Sequence, residues 1–329
     1  MTFDERVQAV AKKGFTERQA RFLTTVMLHA GVCVPRQYAR FCGVVHGQKT
    51  RKFFAKLVGL GYASMYDCRH NRARIYHLNQ RALYAAIDEA DSRLRKPLTL
   101  NHAIQRLMVL DAIVEDPDLV WLGTAQDKIA HLTTLVRIEG ADLPHVTVGR
   151  GHLPIVRYFP DRLPIGIHPA GRGVVVYLIT DQGLDEFRLF LVRHAALLRA
   201  LPAWTLRIVV PPQLPDIGQR AKQVVWNQLM TPVKPEVRDE LRWYFEQARA
   251  HPAPSRCPDL DERFYGARTT FSAPRFKALY RVWTQDAETA FASCESHALD
   301  EAVTAGTGRV ETLELGHRYG HLSPLVAVA

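Results

Sequence analysis

Apolar positions recur at helical spacing through the first sixty residues and then switch to alternation. Thr16 with Gln19 forms the capping signature of a helix start, and Phe22, Leu23, Val26 and Met27 continue one apolar face to a stop near Gly31. Pro35 suits the first turn of a second helix, 35–41, which Gly43 ends. A third helix, 48–59, carries Phe53, Phe54, Leu57 and Val58 on one side and Gln48, Lys49, Arg51, Lys52 and Lys56 on the other. After Gly61 the period falls to two, so 62–67 and 74–78 read as strands joined by a polar turn over 68–73. Asn79 can cap a fourth helix, 80–95, and Pro97 closes the module. Three helices, a hairpin and a helix follow the order of a winged helix-turn-helix.

Downstream, Ile104, Leu107, Met108 and Ile113 line one side of a helical stretch over 98–135. The chain then turns β-rich, with strands predicted at 145–148, 153–159, 174–179 and 205–210. An amphipathic helix, 184–201, separates the last two and buries Phe187, Phe190, Leu191, Leu197 and Leu198. Strand, helix, strand implies a parallel pair with a right-handed crossover. Beyond Pro211 the pattern gives helices at 219–229, 235–250 and 288–303, a proline-rich linker over 251–258 and a last strand at 309–315. The expected architecture is α+β and multidomain. A winged helix over 1–96 precedes a helical connector and α/β domain over 97–212, and a mostly helical region of unknown role fills 213–329.

Charge sharpens the division. The net charge is +10, and residues 1–96 hold 18 Lys+Arg against 7 Asp+Glu, which leaves the rest of the chain close to neutral. An excess confined to one module implies an anionic partner for that module. The five cysteines include no C-x-x-C pair, so free thiols are expected rather than a disulfide framework or a zinc site. The early acidic residues and the lack of any long apolar run point to a cytoplasmic protein.

A helix that enters the major groove needs one apolar side to dock on its domain and one polar side to face base edges. The 48–59 helix meets both needs. Lys49, Lys52 and Lys56 share a stripe, flanked by Gln48 and Arg51, whose forked side chains suit adenine and guanine. Arg69, Arg72 and Arg74 fall where a wing meets the backbone or an adjacent minor groove. Sequence-specific binding of double-stranded DNA is the expectation, with no cofactor and with a homodimer on a palindromic site. The plainer alternative is a solvated helix face and a charged loop, or a winged helix that contacts protein as an adaptor.

Pro160-Asp161, followed by the 174–179 strand and Thr180-Asp181-Gln182, invites comparison with metal-dependent nucleases of the PD-(D/E)xK type. In those enzymes two carboxylates hold Mg²⁺ and a lysine assists the attacking water. Here the triplet lacks its lysine and its carboxylate is one position out of phase. Structural roles are the alternative: Asp161 capping the following turn and Asp181 capping the helix that opens near Leu184. The better reading is a degenerate nuclease-like domain, with a Mg²⁺-dependent nuclease using Asp161 and Asp181 as the enzymatic alternative. His145, His152 and His168 cluster around the strands without a metal-ligand spacing.

Arg74-Ile75-Tyr76-His77-Leu78-Asn79 at the end of the winged helix, Pro160-Asp161, and the Val174–Asp181 stretch with its following helix resemble the replication–relaxation family of plasmid and mobile-element proteins. The likeness spans roughly residues 15–212. It implies a transcriptional regulator, or a replication or mobilisation accessory factor, that works on DNA beside other mobile-element proteins. Thr180 stands where that family often has an acidic residue.

Overall fold

The computed structural model describes residues 1–68, 73–149, 155–251, 262–294 and 296–322. Its architecture is α+β. The first part, called the head below, opens with α1 (Phe3–Ala11), whose start is fixed by a Thr2–Glu5 capping box that the periodicity did not reveal. α2 (Glu17–His29) begins at the Thr16–Gln19 box as expected. A two-residue strand, β1 (Val32–Cys33), leads into α3 (Pro35–Cys42), which ends at a left-handed Gly43. α4 (Gln48–Gly59) and the hairpin of β2 (Ala63–Asp67) and β3 (Arg74–Leu78) follow. The three strands form an antiparallel sheet in the order β1-β3-β2, with Val32 opposite His77 and Ala63 opposite Leu78.

Aromatic rings fill the head. Tyr38 stacks on Phe53 at 4.2 Å, and Phe54 lies 4.2 Å from Tyr76 of the hairpin. Burial of each such side chain contributes about 1.5–3 kcal/mol, so α4 is held firmly against α2, α3 and the sheet. The helix expected over 80–95 is shorter. α5 (Arg81–Ala85) stops where Asp88 takes a positive φ of 62°, and a 3-10 turn at Arg93–Arg95 follows, capped by the Ser92 hydroxyl. Leu83, Tyr84 and Ile87 of that segment are buried in the core and Leu94 packs on it from the 3-10 turn, so no continuous apolar face sustains further turns of α5.

The remainder, called the body, is built on a five-stranded sheet. α6 (Leu100–Val114) leads to β4 (Val120–Leu122), a strand inside the stretch expected to be helical throughout, and then to α7 (Ala125–Ala130), which runs on into a π-helical turn at His131–Leu135. β5 (His145–Val148) and β6 (Ile155–Tyr158) form a separate hairpin, followed by β7 (Ile165–Ile167), β8 (Gly173–Leu178), α8 (Asp185–Ala200) and β9 (Trp204–Val210). β8 and β9 are parallel across α8, as the strand–helix–strand pattern implies. β4, β7 and β8 are antiparallel neighbours. All six residues of β8 are buried, since helices cover both of its faces.

Among the described residues α9 (Ile217–Val225), which runs on into a π-helical turn at Trp226–Met230, α10 (Pro235–Ala250), α11 (Glu262–Thr270), α12 (Pro274–Trp283) and α13 (Ala287–Ala292) come next. α14 (Ala298–Thr304) is distinct from α13, so the single helix expected over 288–303 is two; the Ser296 hydroxyl caps the second at the Ala298 amide. β10 (Gly308–Glu314) then returns to pair in parallel with β9, which gives the order β10-β9-β8-β7-β4. Gly308 allows this pairing, because a Cβ there would sit 2.5 Å from the Trp204 ring.

One apolar cluster joins head to body. Val32 and Ile75 of the head meet Leu107, Met108 and Ile113 of α6, which in turn pack over Val174, Val176 and Val209 of the sheet, with Leu315, Tyr319 and Leu322 closing the layer. Among the described residues no helix is long and apolar enough to cross a membrane, and Cys33, Cys42 and Cys68 are free.

Candidate nucleic-acid interface

α4 divides cleanly. Thr50, Phe53, Phe54 and Leu57 are buried, whereas Gln48, Lys49, Arg51, Lys52 and Lys56 are exposed. The exposed face borders two grooves. Lys49, Lys52 and Lys56 share one of about 830 Å³ with Arg18 and Gln19 from the start of α2. Arg51 lines the other, of about 360 Å³, with His46, Arg36 and Arg74. The second groove brings the helix and the hairpin together on one surface.

Two of the predicted cations have partners inside the protein. The Lys56 ammonium donates to the Gly14 carbonyl and lies 5.3 Å from the centre of the Phe15 ring, tying the end of α4 to the α1–α2 connection. Arg74 stands opposite Asp67 in the hairpin, and its Nε donates to that carboxylate at 3.0 Å. This hydrogen bond raises the Arg74 pKa above its ordinary value. Arg69 and Arg72 lie outside the described residues. Arg18 and His46 are additions that periodicity did not single out: the pattern of α2 says only which face is buried, and His46 lies in the connection between α3 and α4.

The two acidic residues of the nuclease comparison do different things. Asp181 accepts the Gly183 and Leu184 amides at 2.8 and 3.2 Å, closing the turn that starts α8. Asp161 faces Arg193 at 3.6 Å, and its Oδ2 is buried without a hydrogen-bond partner. It does not cap its turn. Nearby, the buried Lys128 donates to the Leu163 carbonyl at 2.7 Å; burial pushes its ammonium down to about 8, partly offset by Asp127 and Asp161. Burial likewise pushes His194 down to about 4. Among the described residues no group of three or more metal-ligating side chains converges. His145 bonds the Leu143 carbonyl and faces Asp286, His168 accepts the Ala170 amide, and His152 lies outside the described residues.

Comparison of the chain with protein-family models, curated proteins and solved structures returned no match.

Proposed function

We propose that the head is a winged helix that binds double-stranded DNA, placing α4 in the major groove and the β2–β3 hairpin against the neighbouring backbone. The observation that carries this reading is the outward row of Gln48, Lys49, Arg51 and Lys52 on a helix whose opposite face is locked into an aromatic core. Such a helix can present base-reading side chains without losing its own packing. The sheet order β1-β3-β2 and the groove shared by Arg51 and Arg74 support it. Lys49, Arg51 and Lys52 serve as the principal contacts, Gln48 as a base reader near the helix start, and Lys56 as a strut.

The body is read as a nuclease-like scaffold put to a structural use. α7 and the β5–β6 hairpin intervene between β4 and β7, and Pro160-Asp161 comes just before β7, the middle strand of the antiparallel β4-β7-β8 set. On the next strand, where catalysis would require an acidic residue and a lysine, β8 has Val174, Val175, Val176 and Tyr177. With the resemblance carried by Arg74–Asn79 and Val174–Asp181, we read the protein as a regulatory or accessory factor of a mobile element, bound as two copies to a palindrome.

Selection of bound sequences from random duplex DNA tests both halves of this reading. An enriched inverted repeat with half-sites about one helical turn apart is expected. Recovery of no motif, together with duplex affinity unchanged by combined Lys49→Ala and Lys52→Ala substitutions, would overturn it.

A further inference from the structure

α2 spans 13 residues, about 20 Å of helix. Its start borders the α4 face; its other end borders a cleft of about 420 Å³ between head and body. His29, Glu89 and Arg93 of the head line it, with Gln126, Lys128 and Arg162 of the body. Close packing builds this joint. A Cβ on Gly31 would lie 2.4 Å from the Leu94 carbonyl oxygen, and one on Gly123 would lie 2.8 Å from the Leu28 side chain.

The charges at the joint are lopsided. Burial lowers the pKa of the Arg162 guanidinium, and the neighbouring cations Arg157, Arg93 and Arg106 lower it further. Arg93 and Arg162, from separate segments of the chain, thus line one cleft within reach of each other's charge, an arrangement that an anion relieves. Glu89 is the acid in the lining; burial pushes its carboxyl up, and the cation that acts on it is Arg6 rather than an arginine of the cleft. Arg162 is also held at the rim by a strained loop, since Phe159 and Arg162 take positive φ angles of 48° and 55°.

The cleft has a neutral hydrogen-bonding group as well. His29 is partly buried, its imidazole pushed down to about 3 chiefly by burial and next by Lys128, and its Nε2 is a buried atom with no hydrogen-bond partner in the protein. A buried ring nitrogen without a partner is costly and suits a ligand oxygen. The Lys128 stem closes one wall beside the Phe159 ring. The volume falls in the range of small-molecule sites.

We propose that this cleft binds a small phosphorylated molecule of about mononucleotide size, with its phosphate held between Arg93, Arg162 and the His29 imidazole. Because both head and body contribute walls, an occupied cleft bridges the two. The phosphates of DNA share this chemistry, so the experiment separates the two sources. The full-length chain is titrated calorimetrically with inorganic pyrophosphate and with adenosine monophosphate. Saturable one-to-one binding is expected, weakened at least tenfold by combined Arg93→Gln and Arg162→Gln substitutions. Both side chains are exposed, and circular dichroism of the variant checks that it folds. Combined Lys49→Ala and Lys52→Ala substitutions are expected to leave pyrophosphate binding unchanged. Absence of saturable binding, or binding indifferent to the arginine pair, would overturn the proposal. So would a variant that loses duplex affinity while pyrophosphate fails to bind the wild-type chain, since the arginines would then serve the DNA backbone.

Discussion

The Arg36 guanidinium and the Asp111 carboxylate meet through two parallel hydrogen bonds of 2.7 Å each. This fork joins α3 of the head to α6 of the body. A third partner comes from near the end of the described chain: the Tyr319 hydroxyl donates to the same Asp111 Oδ2, and its ring lies 5.6 Å from the Arg36 guanidinium carbon. Asp111 is only 4% exposed, so its charge depends on these two neighbours. Gln37 reinforces the seam by bonding the Leu107 carbonyl at 2.8 Å.

Removal of Arg36 strands a buried carboxylate. Loss of one partner from a buried pair costs about 3–5 kcal/mol, and the partial exposure of Arg36 places Arg36→Ala near the lower end. Tyr319→Phe removes one hydrogen bond and leaves the pair intact, so about 1–2 kcal/mol is expected. Urea unfolding of the two single variants and the double variant reads their coupling. Strictly additive losses would show that the three groups do not act as a unit.

Contacts to phosphate make DNA affinity depend on salt, with a slope of about −0.9 in log K against log salt for each contact. Lys49→Ala, Arg51→Ala and Lys52→Ala should each flatten the slope by about that amount if each meets one phosphate. Lys56→Ala should instead lower thermal stability and leave the slope nearly unchanged, because that ammonium is engaged by Gly14. A slope change at Lys56 equal to that at Lys52 would mean that DNA displaces the Gly14 contact.

The division of labour on α4 shows what periodicity can and cannot deliver. Spacing alone separates Phe53, Phe54 and Leu57 from Lys49, Lys52 and Lys56, since helical geometry dictates which residues share a face. It is blind to Gly14, some forty residues away in sequence, and so treats Lys56 as equivalent to its neighbours. β1 and β4, of two and three residues, are too short to alternate visibly. Asp161 is the sharper case. Its role depends on Arg193 and Lys128, contributed by α8 and α7, and only the folded chain brings these together.

Stability should fall in mild acid because two histidines, His194 buried and His29 partly so, stay neutral. His29 and His194 are depressed to about 3 and about 4, chiefly by burial, against an ordinary value of 6.5. Below pH 6.5 the unfolded chain takes up protons that the folded chain refuses. Their contribution is therefore complete above that pH and is lost as pH falls toward 3–4. At 1.36 kcal/mol per pH unit, about 2 kcal/mol per histidine is gone by pH 5. Denaturation midpoints at pH 7 and pH 5 measure this loss, which His29→Gln should reduce. An identical pH slope in that variant would refute the assignment.

Asp161 bears on the choice between scaffold and enzyme. Asp161→Asn removes a charge that supports Lys128 and faces Arg193. The scaffold reading expects lower stability, unchanged duplex affinity, and no Mg²⁺-dependent cleavage in either wild type or variant. Cleavage of duplex DNA by the wild type that disappears in Asp161→Asn would restore the nuclease reading.

Gly31 and Gly43 separate strain from collision. Both are left-handed, with φ of 71° and 60°. Around Gly43 a Cβ would meet nothing within 4 Å, whereas at Gly31 it would press on the Leu94 carbonyl at 2.4 Å. Gly43→Ala should thus cost only the backbone strain, about 1–2 kcal/mol. Gly31→Ala adds a clash with main chain that cannot rotate away, so the Arg93–Arg95 turn must shift. Its loss should exceed that of Gly43→Ala by at least about 1 kcal/mol, in line with overpacking at a tight contact. Because the same turn carries Arg93 into the cleft, Gly31→Ala should also weaken pyrophosphate binding, while Gly43→Ala leaves it intact. Equal destabilisation by the two substitutions would show that the turn yields freely and that the joint is looser than its packing implies.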